Sequence, residues 1–536
     1  MLDLVLTNGR IVDGTGNPWY IGDVGIKDGR IAAVGSIGEE AARAIDVQQN
    51  VIAPGFIDGH CHSDLLVLDD PKSSFKLLQG VTTEVVGNCG LAPAPLVPRY
   101  EEALKQYVQP VLGTTPWAWN WQSIEAYIGT LARNKASENV ATYVAHGALR
   151  IAVMGFENRP ATAEEIARMK LLLEEGMRAG AIGLSIGLLY APGSYTSQEE
   201  LAELCSVLPK YGGLLATHIR GEGNSLIASV REVIWIAERA GIALHVSHLK
   251  AAGRINWGRT LEAIELIEAA RHRGLDVTCD VYPYTAGSTS MTTILPPWML
   301  EGGIEATLER LRNPALRPRI KQELREEQRD WDNLVCSTGW QSVYVSAVSN
   351  PANLHLEGKQ VAQIAAERGG LDPEDVMMDL MLEERGTISI VYFHMSDDDV
   401  KDVIRYDRAL IASDSLGCVT GKPHPRTYGT FPRLFAKYVQ DEKLLTLEQA
   451  VRKVTSFPVQ RFKLGKRGLL VPGYHADVTV FNPLTFRDTA TYEQPIQTPE
   501  GLSHVIVGGE LTVSHGQHTG ALSGAFLPSC GCRHHA

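Results

Sequence analysis

Short apolar runs alternate with longer amphipathic runs through the middle of the chain, and this alternation restricts the possible folds more than any other feature of the sequence. Amphipathic helical runs occupy 162–179, 226–240 and 260–273. The candidate strands are 51–58, 83–86, 141–145, 183–186, 214–218, 243–247, 276–282, 387–393 and 409–413. Because alternating strands and helices form parallel sheets, roughly eight such units over about 360 residues predict an α/β fold with a (β/α)8 barrel.

The number of candidate strands leaves one question open, because nine runs compete for the eight places of a barrel. One of them therefore lies outside the barrel or is not a strand. An open, doubly wound parallel sheet is the alternative topology for the same pattern.

The two chain ends share a different pattern of short strands separated by tight turns. Asn8-Gly9 and Asp28-Gly29 follow alternating runs near the start, and Gly508-Gly509 lies between two runs near the end. These dipeptides are strong hairpin signals. We therefore predict one small β-domain from residues 1–55 and 466–520, a catalytic barrel over 56–465, and a flexible tail over 521–536.

Residues 287–346 interrupt the barrel pattern. They contain Pro296-Pro297, a charged helical run over 318–329, and three tryptophans. An insertion after a barrel strand lies on the face where barrels carry their active sites, so it is suited to act as a lid. An ordinary extra pair of helices explains the segment equally well.

Composition excludes several classes of protein. The chain of 536 residues is 44% hydrophobic and 21% charged, which is typical of globular proteins, and its formal net charge is −12, which gives no support to binding of nucleic acid or an anionic membrane surface. No apolar run reaches the length of a transmembrane helix, and the first residues alternate like a strand instead of forming a signal peptide. Eight cysteines are too few for a disulfide scaffold and favour a cytoplasmic setting.

The segment Pro54-Gly-Phe-Ile-Asp-Gly-His-Cys-His-Ser-Asp64 carries the strongest chemical signal. His60 and His62 are two residues apart at the end of an apolar run, and a period of two places both imidazoles on one face of a strand. A lone histidine is usually a hydrogen-bonded core or surface residue, but a pair at the C-terminal end of a barrel strand is suited to bind a metal ion.

Further candidate ligands follow later strands. His218 ends one apolar run, and His248 follows the next run thirty residues later, so neighbouring strands are expected to present them side by side. Asp414 ends the run 409–413, where a carboxylate is costly unless it is paired or used. Taken alone, Asp414 also fits a helix N-cap or a turn.

These residues and three longer motifs resemble the amidohydrolase superfamily and, within it, the N-acyl-D-amino-acid deacylases (D-aminoacylases). The motifs are Gly-Leu-Ser-Ile-Gly-Leu-Leu-Tyr-Ala-Pro-Gly at 183–193, Asp-Val-Tyr-Pro-Tyr at 280–284, and His-Pro-Arg-Thr-Tyr-Gly-Thr-Phe-Pro-Arg at 424–433. The resemblance extends to about residue 520. It implies a distorted TIM-like (β/α)8 barrel, a small β-sandwich built from both chain termini, an inserted lid segment, and hydrolysis of N-acyl-D-amino acids.

The resemblance also implies a zinc site without the carboxylated lysine of many relatives, since 181–188 contains no lysine. Cys89 takes the place of a ligand after the second strand. The implied ligands are Cys89, His218 and His248 for one tight Zn²⁺ ion and the His60/His62 pair for a weaker second site. Asp414 is the implied general base for attack of water on the amide carbonyl.

The α-carboxylate of an N-acyl amino acid needs cationic or hydrogen-bonding partners. The resemblance places this clamp on Lys250, Tyr282 and Arg426, and selectivity for D substrates rests on the resemblance alone. Lys250 is otherwise a solvated lysine and Tyr282 a core tyrosine. The expected partner is therefore a small molecule, and the sequence leaves the oligomeric state, the preferred side chain and the acyl group open.

Two features depart from the family pattern. The tail 529–535 is rich in Cys and His, but it lies beyond the usual end of the family and we interpret it as flexible. The run 414–419 lacks the Gly-rich, polar character expected after the catalytic aspartate, which leaves the side-chain preference open. A cyclic-amide hydrolase of the hydantoinase or dihydroorotase kind is the second hypothesis, and a non-catalytic barrel scaffold is the third.

Overall fold

The protein, described here by a computed structural model over residues 1–328 and 331–529, forms four β-sheets. Within those residues the strands are β1 (Leu2–Ile11), β2 (Tyr20–Lys27), β3 (Arg30–Gly35), β4 (Ala41–Asp46), β5 (Val51–Pro54), β6 (Phe56–Asp58), β7 (Val81–Val86), β8 (Asn139–Thr142), β9 (Val144–Ala145), β10 (Gly183–Gly187), β11 (Leu214–His218), β12 (Ala243–Val246), β13 (Val277–Val281), β14 (Ala286–Ser290), β15 (Val343–Ala347), β16 (Ser389–Phe393), β17 (Ala409–Ile411), β18 (Val478–Phe481), β19 (Leu502–Val507), β20 (Glu510–Ser514) and β21 (Gln517–His518).

The α-helices lie mainly between the barrel strands and in one long insertion. They are α1 (Leu66–Asp69), α2 (Ser74–Leu77), α3 (Glu101–Leu112), α4 (Ile124–Arg133), α5 (His146–Met154), α6 (Ala163–Ala179), α7 (Gln198–Cys205), α8 (Leu226–Ala240), α9 (Thr260–His272), α10 (Gly303–Arg312), α11 (Arg317–Arg325), α12 (Leu334–Thr338), α13 (Val361–Glu367), α14 (Pro373–Glu383), α15 (Asp397–Arg405), α16 (Arg426–Arg433), α17 (Leu447–Val454) and α18 (Ser456–Phe462). None of the helices in the described ranges is both long and apolar enough to span a membrane.

The barrel consists of parallel strands in the order β6, β7, β8/β9, β10, β11, β12, β13 and β17, where β8 and β9 form one strand interrupted at Tyr143. It closes between its first and last strands, because the backbone N–H of His62 donates to the carbonyl of Ser415 (2.9 Å) and that of Asp414 donates to the carbonyl of His60 (2.7 Å). The predicted fold class is confirmed, and the open sheet is not observed.

The surplus candidate strand, 387–393, belongs to the insertion. It forms β16, which pairs antiparallel with β14 and β15 outside the barrel. The insertion extends from β14 to β16 and has its own apolar core, which includes Met291, Leu308 and Met377. It is therefore longer than the predicted 287–346. The sequence pattern hid its second half, because α13, α14 and β16 follow one another with the spacing of a barrel unit.

Both chain ends contribute to one nine-stranded sheet. Its order is β21-β20-β19-β18-β5-β1-β2-β3, with β4 paired to β1. The strand β5 joins the two ends, since it pairs with β1 on one side and β18 on the other. Asp28-Gly29 forms the predicted hairpin, whereas Asn8-Gly9 lies in an irregularity within β1, which continues to Ile11.

The segment 521–529 differs from the flexible tail that the sequence predicts. The backbone of Val140 exchanges hydrogen bonds with Ala525 (3.0 Å) and Leu527 (2.7 Å), so the segment pairs with the edge of β8. Leu527 is buried and supplies the apolar anchor for this contact. The Cys and His residues beyond Ser529 lie outside the described residues.

Candidate metal centre

Six potential ligands converge at the C-terminal ends of the barrel strands. Each one lies at the end of a strand or just after it, where the strands of a (β/α)8 barrel present active-site residues. The residues, in chain order, are His60 and His62 after β6, Cys89 after β7, His218 at the end of β11, His248 after β12 and Asp414 after β17. All six are buried.

Cys89 occupies the middle of the group. Its Sγ lies 3.3 Å from Nε2 of His60 and 3.6 Å from Nε2 of His248. The rings of His248 and His218 contact each other, with centroids 4.4 Å apart. The sulfur atom therefore lies between His60 on one side and His248 on the other. The family resemblance implies that these two histidines belong to two different metal sites.

Asp414 lies against the histidine pair. Its Oδ1 is 3.3 Å from Nε2 of both His60 and His62, and its Oδ2 is 2.9 Å from a guanidinium nitrogen of Arg426. Burial alone would raise the pKa of this carboxyl, but the charge on Arg426 and the contacts with the histidines hold its pKa well below its usual value. Asp414 is therefore ionised.

Backbone conformation aims three of the ligands. Cys89, His248 and Asp414 have φ angles of 55°, 34° and 49°, in the left-handed region that non-glycine residues rarely adopt. Such residues occur where the surrounding structure fixes them, and they are concentrated at active sites. In each case the chain leaves the strand and turns, so the side chain points into the barrel mouth and not along the strand face.

Asp280, on β13, connects that strand to the ends of β6 and β12 through hydrogen bonds. Its Oδ2 accepts from Nδ1 of His60 (3.1 Å) and from Nε2 of His245 (2.8 Å), while its Oδ1 accepts from the backbone N–H of His248 (2.7 Å). A carboxylate on Nδ1 leaves Nε2 of His60 facing the cluster, which is the arrangement that orients histidine ligands in metal sites. Asp280 is the first residue of the motif at 280–284, but its role could not be predicted because its hydrogen-bond partners lie on other strands.

Glu222, in the loop after β11, was missed by sequence reasoning. Its Oε1 lies 2.9 Å from Nδ1 of His248, 2.5 Å from Nζ of Lys250 and 3.8 Å from Nε2 of His218. Burial would raise its pKa, but Lys250 and the two histidines hold the pKa well below its usual value. Glu222 thus orients His248 from the side opposite the cluster.

The charge state of Cys89 suits a metal ligand. Burial would raise the pKa of the thiol, but the charge on His60 and the contacts with His218 and His248 hold it well below its usual value. A thiolate is the form that binds metal ions. Cys61, in contrast, directs its sulfur to the carbonyl of Val85 (3.4 Å), and burial raises its pKa.

The donor set fits a zinc ion. Thiolate sulfur, imidazole nitrogen and carboxylate oxygen are the atoms that zinc prefers. Neither ring nitrogen of His218 makes a hydrogen bond with the described part of the chain, although the ring is buried. Buried polar atoms are almost always hydrogen-bonded, so an imidazole that only approaches Glu222 and Cys89 without such a bond is suited to a bound cation.

Of the three residues predicted to bind the substrate carboxylate, two line the cavity and the third, Arg426, does not. Lys250 and Tyr282 line the cavity above the ligands, in which the space, including the part that is open to solvent, is about 710 Å³. Arg426 lies behind Tyr282, with its guanidinium carbon 4.4 Å from the ring centroid, and it does not line the cavity. Its ion pair with Asp414 lacks hydrogen-bond geometry, so the Nε and NH1 groups have no acceptor within 1–328 and 331–529.

His394, just after β16 of the insertion, lines the same cavity and was not singled out by the sequence. Burial and the nearby charge of Lys250 lower its pKa to about 3, so its imidazole is neutral. Neither ring nitrogen has a hydrogen-bond partner among the described residues. A neutral imidazole with free nitrogens beside Lys250 and Tyr282 is available to bind a polar group of a ligand.

Beneath the ligands, a buried lysine ties the first, second and last barrel strands together. Nζ of Lys76 lies 2.5 Å from Asp58, 2.7 Å from Glu84, and 3.2 and 2.8 Å from the hydroxyls of Ser413 and Ser415. All of these side chains are fully buried. Asp58 precedes His60 and Ser413 precedes Asp414, so this network fixes the backbone from which both ligands project.

Comparison with known proteins places the chain in a family. Residues 43–513 match the model described as the amidohydrolase family. A D-aminoacylase from Alcaligenes xylosoxydans xylosoxydans is 35% identical over 526 residues, which cover 98% of this chain and 97% of that protein. A D-aminoacylase crystal structure is 33% identical with a TM-score of 0.83, covering 98% of this chain and 100% of that one.

A further crystal structure shows a related protein with metal bound. It is an N-acyl-D-glutamate deacylase from Bordetella bronchiseptica, complexed with zinc and a phosphonate inhibitor that mimics the tetrahedral intermediate. It is 33% identical to this chain, with a TM-score of 0.83, and covers 98% of this chain and 100% of its own. The chain described here therefore belongs to the amidohydrolase family and is a metal-dependent amidohydrolase.

Proposed function

We propose that the protein hydrolyses the amide bond of N-acyl-D-amino acids in a zinc-dependent reaction, releasing a carboxylate and a free D-amino acid. One observation carries the proposal: a thiolate, four histidines and an ionised aspartate converge at the mouth of a cavity that also contains Lys250 and Tyr282. The relatives named D-aminoacylase and N-acyl-D-glutamate deacylase support the same substrate class.

In this proposal Cys89, His218 and His248 hold the tight zinc ion, and His60 and His62 contribute to a second, weaker site. A bound zinc ion polarises the amide carbonyl and lowers the pKa of water toward about 7. The protein contributes the orientation of these ligands through Asp280 and Glu222, whose contacts with Nδ1 of His60 and His248 leave the Nε2 atoms facing the ligand cluster.

Asp414 is the proposed general base and acid. Its Oδ1 faces the histidine pair while Arg426 holds its Oδ2, so the carboxylate is ionised and cannot rotate freely. It accepts a proton from the attacking water and returns that proton to the amine nitrogen as the amide bond breaks. Both transfers use one oxygen atom, which is consistent with a single positioned carboxylate.

We propose that Lys250 and Tyr282 bind the α-carboxylate, and that Arg426, which does not line the cavity, acts from behind Tyr282. Burial raises the pKa of Tyr282, so its hydroxyl keeps its proton and can donate. Lys250 already pairs with Glu222, which fixes its ammonium group beside the cavity. Arg426 stacks on Tyr282 and supports the positive potential from behind the ring. A carboxylate held here and a carbonyl held at the metal ligands fix two substituents of the stereocentre.

A cyclic-amide hydrolase is the competing hypothesis. It is disfavoured because β10 and its flanks contain no lysine that could bridge two metals, whereas Cys89 occupies the centre of the ligand cluster. A hydantoin also lacks the free α-carboxylate for which Lys250 and Tyr282 are suited, whereas dihydroorotate carries one, so this point disfavours the hydantoinase kind only. A non-catalytic scaffold is incompatible with a complete ligand set and an ionised base.

The test uses purified protein with N-acetyl-D- and N-acetyl-L-amino acids and the corresponding D-amides. We expect kcat/KM for D substrates to exceed that for L substrates by about 100-fold or more, because the enantiomer forces the side chain into the barrel wall or breaks the clamp. Amidation of the carboxylate should remove most activity. Equal rates for both enantiomers would contradict the proposed substrate class.

Metal content is tested with two matched cysteine variants. Cys89→Ala should lose most bound zinc, whereas Cys205→Ala, another buried cysteine outside the site, should retain it. Asp414→Asn should keep the tight zinc but lose about 100-fold or more in kcat. If Cys89→Ala retains full zinc and activity, the ligand assignment is wrong.

A further inference from the structure

A second cavity adjoins the one above the metal ligands. The space in it, including the part that is open to solvent, is about 660 Å³, and it shares the residues Val111, Leu189, Tyr190 and Thr293 with the first cavity. These four residues form a neck between the two. Since Cys89, His218, His248 and Asp414 line only the first cavity, the second one extends away from the reacting centre.

The walls of the second cavity are apolar. They come from α3, from Phe156 after α5, and from the insertion, which contributes Leu300 and Ile304 on one side. None of the lining residues, all of which lie in the described ranges, is an Asp, Glu, Lys, Arg or His. An uncharged, largely apolar cavity that opens onto an active site favours an apolar substituent of the substrate.

Two threonine hydroxyls in the lining are committed to the backbone, whereas the buried hydroxyl of Tyr107 has no hydrogen-bond partner among the described residues. Thr293 donates to the carbonyl of Ser290 (2.8 Å), and Thr307 lies 2.8 Å from the carbonyl of Met299. These threonines therefore present their methyl groups to a ligand.

The positions of Lys250 and of the hydrogen-bonding side chains beside it decide which substituent enters the second cavity. Lys250, Tyr282 and His394 line only the first cavity and are not part of the neck, whereas the neck residue Tyr190 contacts the candidate ligand His218, with ring centroids 5.0 Å apart. When a carboxylate lies at Lys250 and Tyr282 and the amide lies at the ligand cluster, the group on the far side of the carbonyl points toward the neck. That group is the acyl chain, because the amino-acid side chain branches from the carbon that also bears the carboxylate.

We propose that the second cavity binds the acyl chain of the substrate, and that this enzyme prefers N-acyl-D-amino acids with medium-length, unbranched fatty acyl groups over N-acetyl compounds. The proposal rests on the proposed function and adds the acyl specificity. The preference is built partly from the insertion, since Leu300, Ile304 and Gly386 belong to it.

The first experiment measures kcat/KM for D-alanine carrying acetyl, butanoyl, hexanoyl, octanoyl or decanoyl groups. Burying one methylene group corresponds to about 0.8 kcal/mol, so kcat/KM should rise by up to about fourfold per methylene until the chain fills the cavity. A parallel series of N-acetyl-D-amino acids with linear side chains of increasing length should show no such rise.

The second experiment fills the cavity. Ala103 on α3 lines the second cavity but not the first, so Ala103→Phe should lower the octanoyl-to-acetyl ratio of kcat/KM by about tenfold or more, as expected for several methylenes displaced from the site. Glu102→Phe, the neighbouring exposed position on the same helix, is the matched control and should leave that ratio unchanged.

The outcomes separate this inference from the proposed function. Hydrolysis of N-acetyl-D-amino acids with a flat or falling acyl-chain profile overturns the acyl cavity and leaves the deacylase proposal standing. If kcat/KM rises with the length of the amino-acid side chain, the second cavity binds the side chain, and the acyl-chain proposal is wrong. Absence of hydrolysis for every N-acyl-D-amino acid overturns both. The wild-type profiles decide the matter even if Ala103→Phe does not fold.

Discussion

The buried lysine beneath the metal centre gives a quantitative test of how the barrel is closed. Lys76 neutralises Asp58 and Glu84 at 2.5 and 2.7 Å, and none of the three side chains is accessible to water. The substitution Lys76→Met keeps a side chain of similar length but leaves two carboxylates buried without a counter-charge. Removing one partner of a buried ion pair costs about 3–5 kcal/mol, because the remaining charge cannot be solvated.

That cost converts into a change in melting temperature. Unfolding entropy near 2.1 cal/mol/K per residue gives roughly 1.1 kcal/mol/K for the chain of 536 residues. If the whole chain unfolds in one transition, Lys76→Met should lower Tm by roughly 3–4 °C, and by more if the barrel unfolds as a smaller unit. Activity should fall as well, because Lys76 contacts Asp58 and Ser413, which lie just before His60 and Asp414 in the chain and fix their backbone.

The assay is differential scanning calorimetry of three variants against the wild type. Lys72→Met, an exposed lysine on the same segment, should change Tm by less than about 1 °C. The triple variant Lys76→Met, Asp58→Asn, Glu84→Gln should recover more than half of the loss, because neutral side chains of similar shape replace all three charges. The argument that uncompensated charge destabilises the barrel is wrong if Lys76→Met has the same Tm as the wild type, or if the triple variant has a lower Tm than Lys76→Met.

Three further perturbations address the site and the insertion. Asp280→Asn removes the carboxylate on His60, so zinc affinity, measured by competition with a chromogenic chelator, should fall about 10- to 100-fold, and an unchanged affinity would contradict the positioning role. Asp332→Ala removes an acceptor for backbone N–H groups that precede α8 (2.6 and 3.1 Å), so limited proteolysis should cleave the insertion faster; equal cleavage rates would exclude this latch. His394→Asn should raise KM for N-acetyl-D-amino acids more than it lowers kcat, and steady-state kinetics showing the reverse would exclude a substrate-binding role.

Much of the fold follows from local patterns. The barrel strands were predictable because parallel strands buried on both faces appear as continuous apolar runs, and the hairpin at Asp28-Gly29 because such a turn needs φ angles that these residues adopt. The sequence did not reveal that β16 was the surplus candidate among the nine, because nothing in its own residues distinguishes an antiparallel strand of an insertion from a parallel barrel strand. Only its partners, β14 and β15, distinguish them.

The candidate ligands were predictable for a similar reason, since the end of a barrel strand is a position that the sequence reveals. The residues that orient them were not. Glu222 and Lys76 lie in a loop and a short helix, and their partners are up to 339 residues away along the chain. No local pattern records such contacts, so sequence reasoning finds the candidate metal ligands and misses the groups that fix their protonation and direction.

The geometry of the ligands shows a further limit of periodic reasoning. Strand periodicity alone would place His248 on the same face as Val246 and Lys250, but β12 ends at Val246 and His248 adopts a left-handed backbone beyond it. Cys89 and Asp414 do the same after β7 and β17. A strand directs successive side chains to opposite faces, whereas a cluster around one ion needs side chains from several strands to meet at one point. The turn after each strand supplies that convergence, and the hydrogen bonds of Asp280 to His60 and His248 hold two of the converging elements in place against the strain.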